Sequence, residues 1–190
     1  MTEIEQLCIE QTRHWIRSFV IKYNLCPFAK REMDKGSVRI QTSQATTTEQ
    51  ALSDLENEIE LLNTKPETET SFLLFPWFLE DFFDYLDFTE MAESKFLDDK
   101  YNGIYQFATF HPDYCFADAS FDDVTNYTNR SPYPMLHLLR EESLEKAIAS
   151  FGNTGAIPEA NMRRLRAMGL VEIEKIVADC LTVKEEGQGV

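Results

Sequence analysis

His111 follows the apolar run Ile104 to Phe110 and is followed at once by Pro112, Asp113 and Tyr114. A His-x-Asp pair is one way to hold divalent iron, because two imidazoles and a carboxylate leave open positions on the metal. His137 would be the third ligand. Cys26 or Glu141 would be a further one, and zinc suits the same donors. The same residues also describe a turn histidine bonded to backbone, with Asp113 capping the turn.

Arg130 and Arg140 are the residues to consider for an anion. A guanidinium is costly to bury unless it meets a carboxylate, a cluster of carbonyls or an anionic ligand. Arg130 and Ser131 precede Pro132 and Pro134, and proline favours the first turn of a helix. A helix is therefore expected from about residue 134 to 151, with His137, Arg140, Leu144, Ile148 and Phe151 on one face. Its N-terminus beside Arg130 would bind a phosphate or carboxylate. Tyr114, Tyr127 and Tyr133 would ring such a pocket around a small anionic substrate. Simple capping by Ser131 is the plainer alternative, and His137 is equally a core histidine.

Cys26 lies in the segment Asn24-Leu25-Cys26-Pro27-Phe28-Ala29. As a nucleophile it needs a base, His111 or His137, brought near by the fold. Otherwise it is a small buried hydrophobe. Three functional readings stay open: a metal-dependent enzyme or metal-binding protein, a metal-free Cys/His enzyme, and a binding module with a structural polar network.

The elements that must position these residues follow from periodicity. Apolar residues at helical spacing predict a helix over 3–23, ended near Asn24 and Pro27. Val38, Ile40 and Thr42 alternate with polar residues, as in a half-exposed strand near a sheet edge. Thr46 and Glu49 form a capping-box pattern opening the next helix. Residues 71–76 predict a strand covered on both faces. A helix over 78–99, with a break near Phe88 and Thr89, leads to a buried strand over 104–110. Residues 115–130 read as irregular. Further helices are expected from Ile157 to Gly169 and from Leu170 to Leu181. The order predicts a single α/β domain over 1–183. It has a small mixed or parallel sheet of three to four strands, helices mainly on one face, and a flexible tail at 184–190.

Composition narrows the partners. With 33 acidic and 18 basic residues the net charge is −15, which disfavours nucleic acid. Fifteen acidic residues against three lysines fall between Glu49 and Lys100. That stretch is a solvated face or a dock for a basic protein. No apolar run is long enough to span a bilayer, and no secretory leader pattern opens the chain. Cys8, Cys26, Cys115 and Cys180 have neither zinc-finger nor disulfide-framework spacing. A reduced, cytoplasmic protein is expected.

Three segments together resemble a bacterial family known only as domain-of-unknown-function family 1415. They are residues 24–29 (NLCPFA), 110–116 (FHPDYCF) and 126–141 (NYTNRSPYPMLHLLRE). The resemblance covers nearly the whole chain. It implies a single cytoplasmic domain in which these segments share one site, and it brings no assigned activity.

Overall fold

Val38–Thr42 (β1), Thr70–Leu74 (β2), Tyr105–Phe110 (β3) and Met135–Arg140 (β4) form one four-stranded sheet in the order β1-β2-β4-β3. The computed structural model describes residues 1–97, 100–151 and 155–182, so the expected tail at 184–190 lies outside the described residues. β1 runs parallel to β2, and β4 runs antiparallel to both β2 and β3. The sheet is therefore mixed. β1 lies at an edge, as its alternation predicts, and every residue of β2 is buried. β3 forms the other edge, so its Gln106, Thr109 and Phe110 are not buried as a central strand would be.

β4 is the main departure from expectation. Residues 135–140 are a strand, and the helix begins only at Glu141. Met-Leu-His-Leu-Leu-Arg is six residues long and mostly apolar, a length at which helical and strand periods fit equally well. Pairing decides the matter, because β4 bonds to β2 on one side and β3 on the other. A central strand satisfies its backbone groups on both edges. Pro134 precedes the strand rather than opening a helix.

Among the described residues, seven α-helices surround the sheet: Glu3–Trp15 (α1), Ala29–Lys35 (α2), Thr48–Thr64 (α3), Phe82–Phe96 (α4), Glu141–Phe151 (α5), Ala156–Met168 (α6) and Leu170–Leu181 (α7). α1 continues as a wider π-helical segment, Ile16–Ile21, and closes at Asn24, whose φ is 50°. Thr2 caps α1 in a capping box with Glu5. α3 is capped by Thr47, one residue later than its sequence suggests. α4 starts at the Asp81 cap and runs unbroken through Phe88 and Thr89. α2 gave no periodic signal because it is short; Gly36, at φ 70°, ends it in the left-handed conformation that glycine tolerates best. Val124–Thr128 is a single 3-10 helix within the otherwise irregular 115–130 loop.

Alternation along each strand gives two cores. On one face, Leu55 and Ile59 of α3 and Tyr85 and Phe88 of α4 pack with Leu73, Phe107, Leu136 and Leu138. On the other, Trp15, Ile16 and Phe19 pack with Ile40, Phe72, Leu74 and Met135, joined by Leu165 of α6 and Ile173 of α7. Among the described residues, more helices gather on this second face, while α3 and α4 build the first. Glu58 of α3 is only 4% exposed. It bonds Arg39 of β1 at 2.6 Å and also accepts from Ser71 of β2, tying that helix to two strands.

Candidate ligand pocket

His111 and His137 lie on opposite faces of the sheet. The His111 ring sits 5.1 Å from Tyr85 and 5.3 Å from Phe82, on the α4 side. His137 lies flat against Phe72, ring centroids 3.8 Å apart, with Phe110 at 6.4 Å, on the α1 side. Among the described residues, no three His, Cys, Asp or Glu side chains come together as metal ligands. The expected iron or zinc set of His111, Asp113 and His137, with Cys26 or Glu141, is therefore not assembled. Strand alternation is the physical reason: His137 in β4 stands beside Phe72 and Ala108, a different face from the His111 turn.

His111 is fully buried and its bonds are spent on the backbone. Nε2–H donates to the Leu79 carbonyl at 3.0 Å, and Nδ1 accepts the Asp113 N–H at 3.0 Å. Burial holds its pKa below the ordinary histidine value. Leu79 has φ 65°, a strained conformation for a branched residue, and the imidazole secures its carbonyl. His111→Ala removes both bonds and the ring between Phe82 and Tyr85. We expect it to cost about 2–4 kcal/mol in urea unfolding. A loss under about 1 kcal/mol would contradict this structural role.

Both arginines meet carbonyls rather than an anion. Arg130 donates to Tyr114 O at 3.1 Å and Phe121 O at 2.6 Å, with its guanidinium over the Phe121 and Tyr127 rings. Arg140 donates to Leu62 O at 2.6 Å, Thr68 O at 3.1 Å and the Tyr105 hydroxyl at 3.3 Å. The expected anion site at the start of a 134–151 helix does not form. That helix starts ten residues after Ser131, whose hydroxyl donates to Tyr133 O at 2.7 Å. Glu141 opens α5, its N–H bonded to Ile104 O at 3.0 Å. The three tyrosines also separate. Tyr114 packs on Phe82, Tyr127 lies under Arg130, and the Tyr133 hydroxyl donates to Gln11.

Cys26 and His137 do line one cavity, of about 570 Å³. Its wall is built by Trp15 and Ile16, by Pro27 and Phe28, by Met33 of α2, and by Phe72, Phe110 and Leu139 of the sheet. α5 covers one side with Ser143, Leu144 and Ala147, and none of its described side chains is buried. Arg31, Lys35 and Lys146 stand at the exposed rim. Each has a carboxylate within salt-bridge distance: Glu32 for the first two and Glu142 for the third. Burial pushes the Cys26 thiol pKa up, against smaller opposing effects from the backbone N–H groups of Phe28 and Ala29. Burial lowers the His137 pKa to about 3. At neutral pH the pair is thus an uncharged thiol and an uncharged imidazole.

Sequence reasoning found Cys26 and His137 but not their neighbours. Trp15 carried only the signal of an apolar helical face. Phe72 and Phe110 looked like ordinary strand residues, and α2 had no signal beyond Pro27. A cavity is a property of how elements fail to meet, which no local pattern encodes.

Fold and cavity together define a mixed α/β protein with a half-open, largely apolar cavity on one face of its sheet. Residues 7–175 match the model of a family described as protein of unknown function (DUF1415), and the chain belongs to that family. No curated protein and no solved structure matches it. Among the described residues no helix is long and apolar enough to cross a membrane.

Proposed function

We propose that this protein binds a small, uncharged organic molecule with an apolar body in the cavity between α1, α2, α5 and the sheet. One observation carries the reading: a cavity of about 570 Å³ walled by Trp15, Phe28, Phe72, Phe110 and Leu139. Its size falls within the range of small-molecule sites, roughly 300–1,000 Å³, and such sites are mainly apolar with a few placed polar groups. The ion-paired rim favours an uncharged ligand over the small anion that the arginines suggest in sequence. The unionised Cys26 and His137 favour binding over nucleophilic catalysis, since the thiolate is the reactive form.

Ala108 lines the cavity opposite His137 across the β3–β4 ladder, so Ala108→Trp should fill it. Nile red, an uncharged apolar dye, is expected to bind the wild-type protein saturably with one-to-one stoichiometry. Its affinity should fall at least tenfold in Ala108→Trp while circular dichroism stays native. Absent saturable binding, or binding unchanged by the filled cavity, would refute the assignment.

A further inference from the structure

We propose that the ligand presents a neutral hydrogen-bond donor, a hydroxyl or N–H, to Nδ1 of His137, so that the pocket selects phenol- or alcohol-like molecules over carboxylates. The inference rests on the cavity being the ligand site and adds the chemistry of its recognition.

The Thr70 hydroxyl lies 2.5 Å from Leu138 O, a separation of two oxygens that requires a proton between them. Thr70 has only one hydroxyl proton, and it is committed there. The same oxygen lies 2.7 Å from His137 Nε2. Nε2 must then be the donor, which fixes the neutral Nε2–H tautomer and leaves Nδ1 as a bare acceptor. Among the described residues Nδ1 has no partner. Stacking against Phe72 keeps the ring from turning this nitrogen elsewhere. His137 is partly accessible, and the surface it exposes lines the cavity.

A carboxylate offers only lone pairs and would face the Nδ1 lone pair, which is repulsive. An ether or ketone has no proton to give. A hydroxyl satisfies Nδ1. Phenols supply such a donor without charge at neutral pH.

The test compares 4-ethylphenol, 4-ethylanisole and 4-ethylbenzoate by calorimetric or NMR titration, beside Nile red. In the wild-type protein the phenol should bind about tenfold more tightly than its methyl ether, the worth of one buried hydrogen bond, and more tightly than the benzoate. In His137→Phe the preference of phenol over ether should vanish while the ether keeps its affinity. Histidine ¹⁵N spectra supply a readout that needs no substitution. Wild-type His137 should show a protonated Nε2 and a bare Nδ1, with the Nδ1 resonance moving when the phenol binds. Equal affinity for phenol and ether, tighter binding of the benzoate, or the opposite tautomer would each overturn the inference. If none of the three binds while Nile red does, the cavity reading stands and this inference fails. If Nile red also fails, both fall.

Discussion

Arg130→Ala is expected to destabilise the protein by about 3–5 kcal/mol, measured by urea unfolding at pH 7. Arg130 is 8% exposed. Its partners among the described residues are the Tyr114 and Phe121 carbonyls and two ring faces, not carboxylates. A hydrogen bond from a charged donor contributes about 1.5–3 kcal/mol, and a partly desolvated cation–π contact about 0.5–2 kcal/mol. Alanine deletes both bonds, leaves two carbonyls facing an empty volume, and removes the bracket holding the 114–121 loop against residues 124–130. Arg130→Lys should recover only part of the loss, because one ammonium cannot reproduce a fork spanning two carbonyls while stacked between rings. If lysine restored full stability, the guanidinium geometry would be irrelevant and charge alone would explain the burial. A loss below about 1 kcal/mol for alanine would show that the loop holds without the clamp.

The same residue shows what was legible in the sequence. That Arg130 carries a structural or ligand-binding burden follows from a guanidinium set among aromatics. Which of the two depends on what residues 132–140 become. Read as the opening of a helix, they put Arg130 beside free N–H groups. As the lead into a central strand, they turn Arg130 back onto its own loop. β1 and β2 were readable because Val38, Ile40 and Thr42 alternate with polar residues and because Phe72, Leu73, Leu74 and Phe75 form a continuous apolar run. β4 was not, because a mostly apolar six-residue run has no preferred period and its strand partners lie 25 or more positions away. The consequence reaches the site: a helical His137 and a strand-end His111 could converge, whereas a His137 within β4 and a His111 just past β3, on opposite faces of the sheet, cannot.

Glu58 marks a different limit. It sits in the acidic stretch 49–100, where each carboxylate resembles solvated surface. Only the packing of α3 over β1 and β2 brings Arg39 and Ser71 to it. Local charge composition cannot distinguish it from Glu56 or Glu60. The candidate site was half legible for a similar reason. Cys26 and His137 are chemically conspicuous, while the aromatics that make their cavity are types that any core contains.

Below pH 6.5 the wild-type protein should lose stability faster than His137→Phe. The folded-state pKa of His137 is about 3, and burial is the cause. In the unfolded chain a histidine titrates near 6.5. Between these values the unfolded state binds a proton that the native state refuses. The neutral imidazole therefore costs nothing above about pH 6.5, and stability falls as pH drops through the window toward 3. The slope approaches about 1.4 kcal/mol per pH unit, or about 2 kcal/mol accumulated by pH 5. His111, whose pKa is also held down by burial, adds a contribution of the same sign. Carboxylates with lowered pKa, such as Glu32, enter only below about 4.5, so unfolding measured between pH 7 and 5 isolates the histidines. His137→Phe keeps an aromatic ring to stack on Phe72 and leaves the Thr70 hydroxyl bonded to Leu138 O. It should gain about 2 kcal/mol relative to wild type over that range, and parallel pH profiles would mean that His137 protonates freely in the folded protein. On the proposed reading, this acid sensitivity is the cost of keeping the His137 imidazole neutral at the cavity, where Nδ1 can accept a hydrogen bond from a ligand.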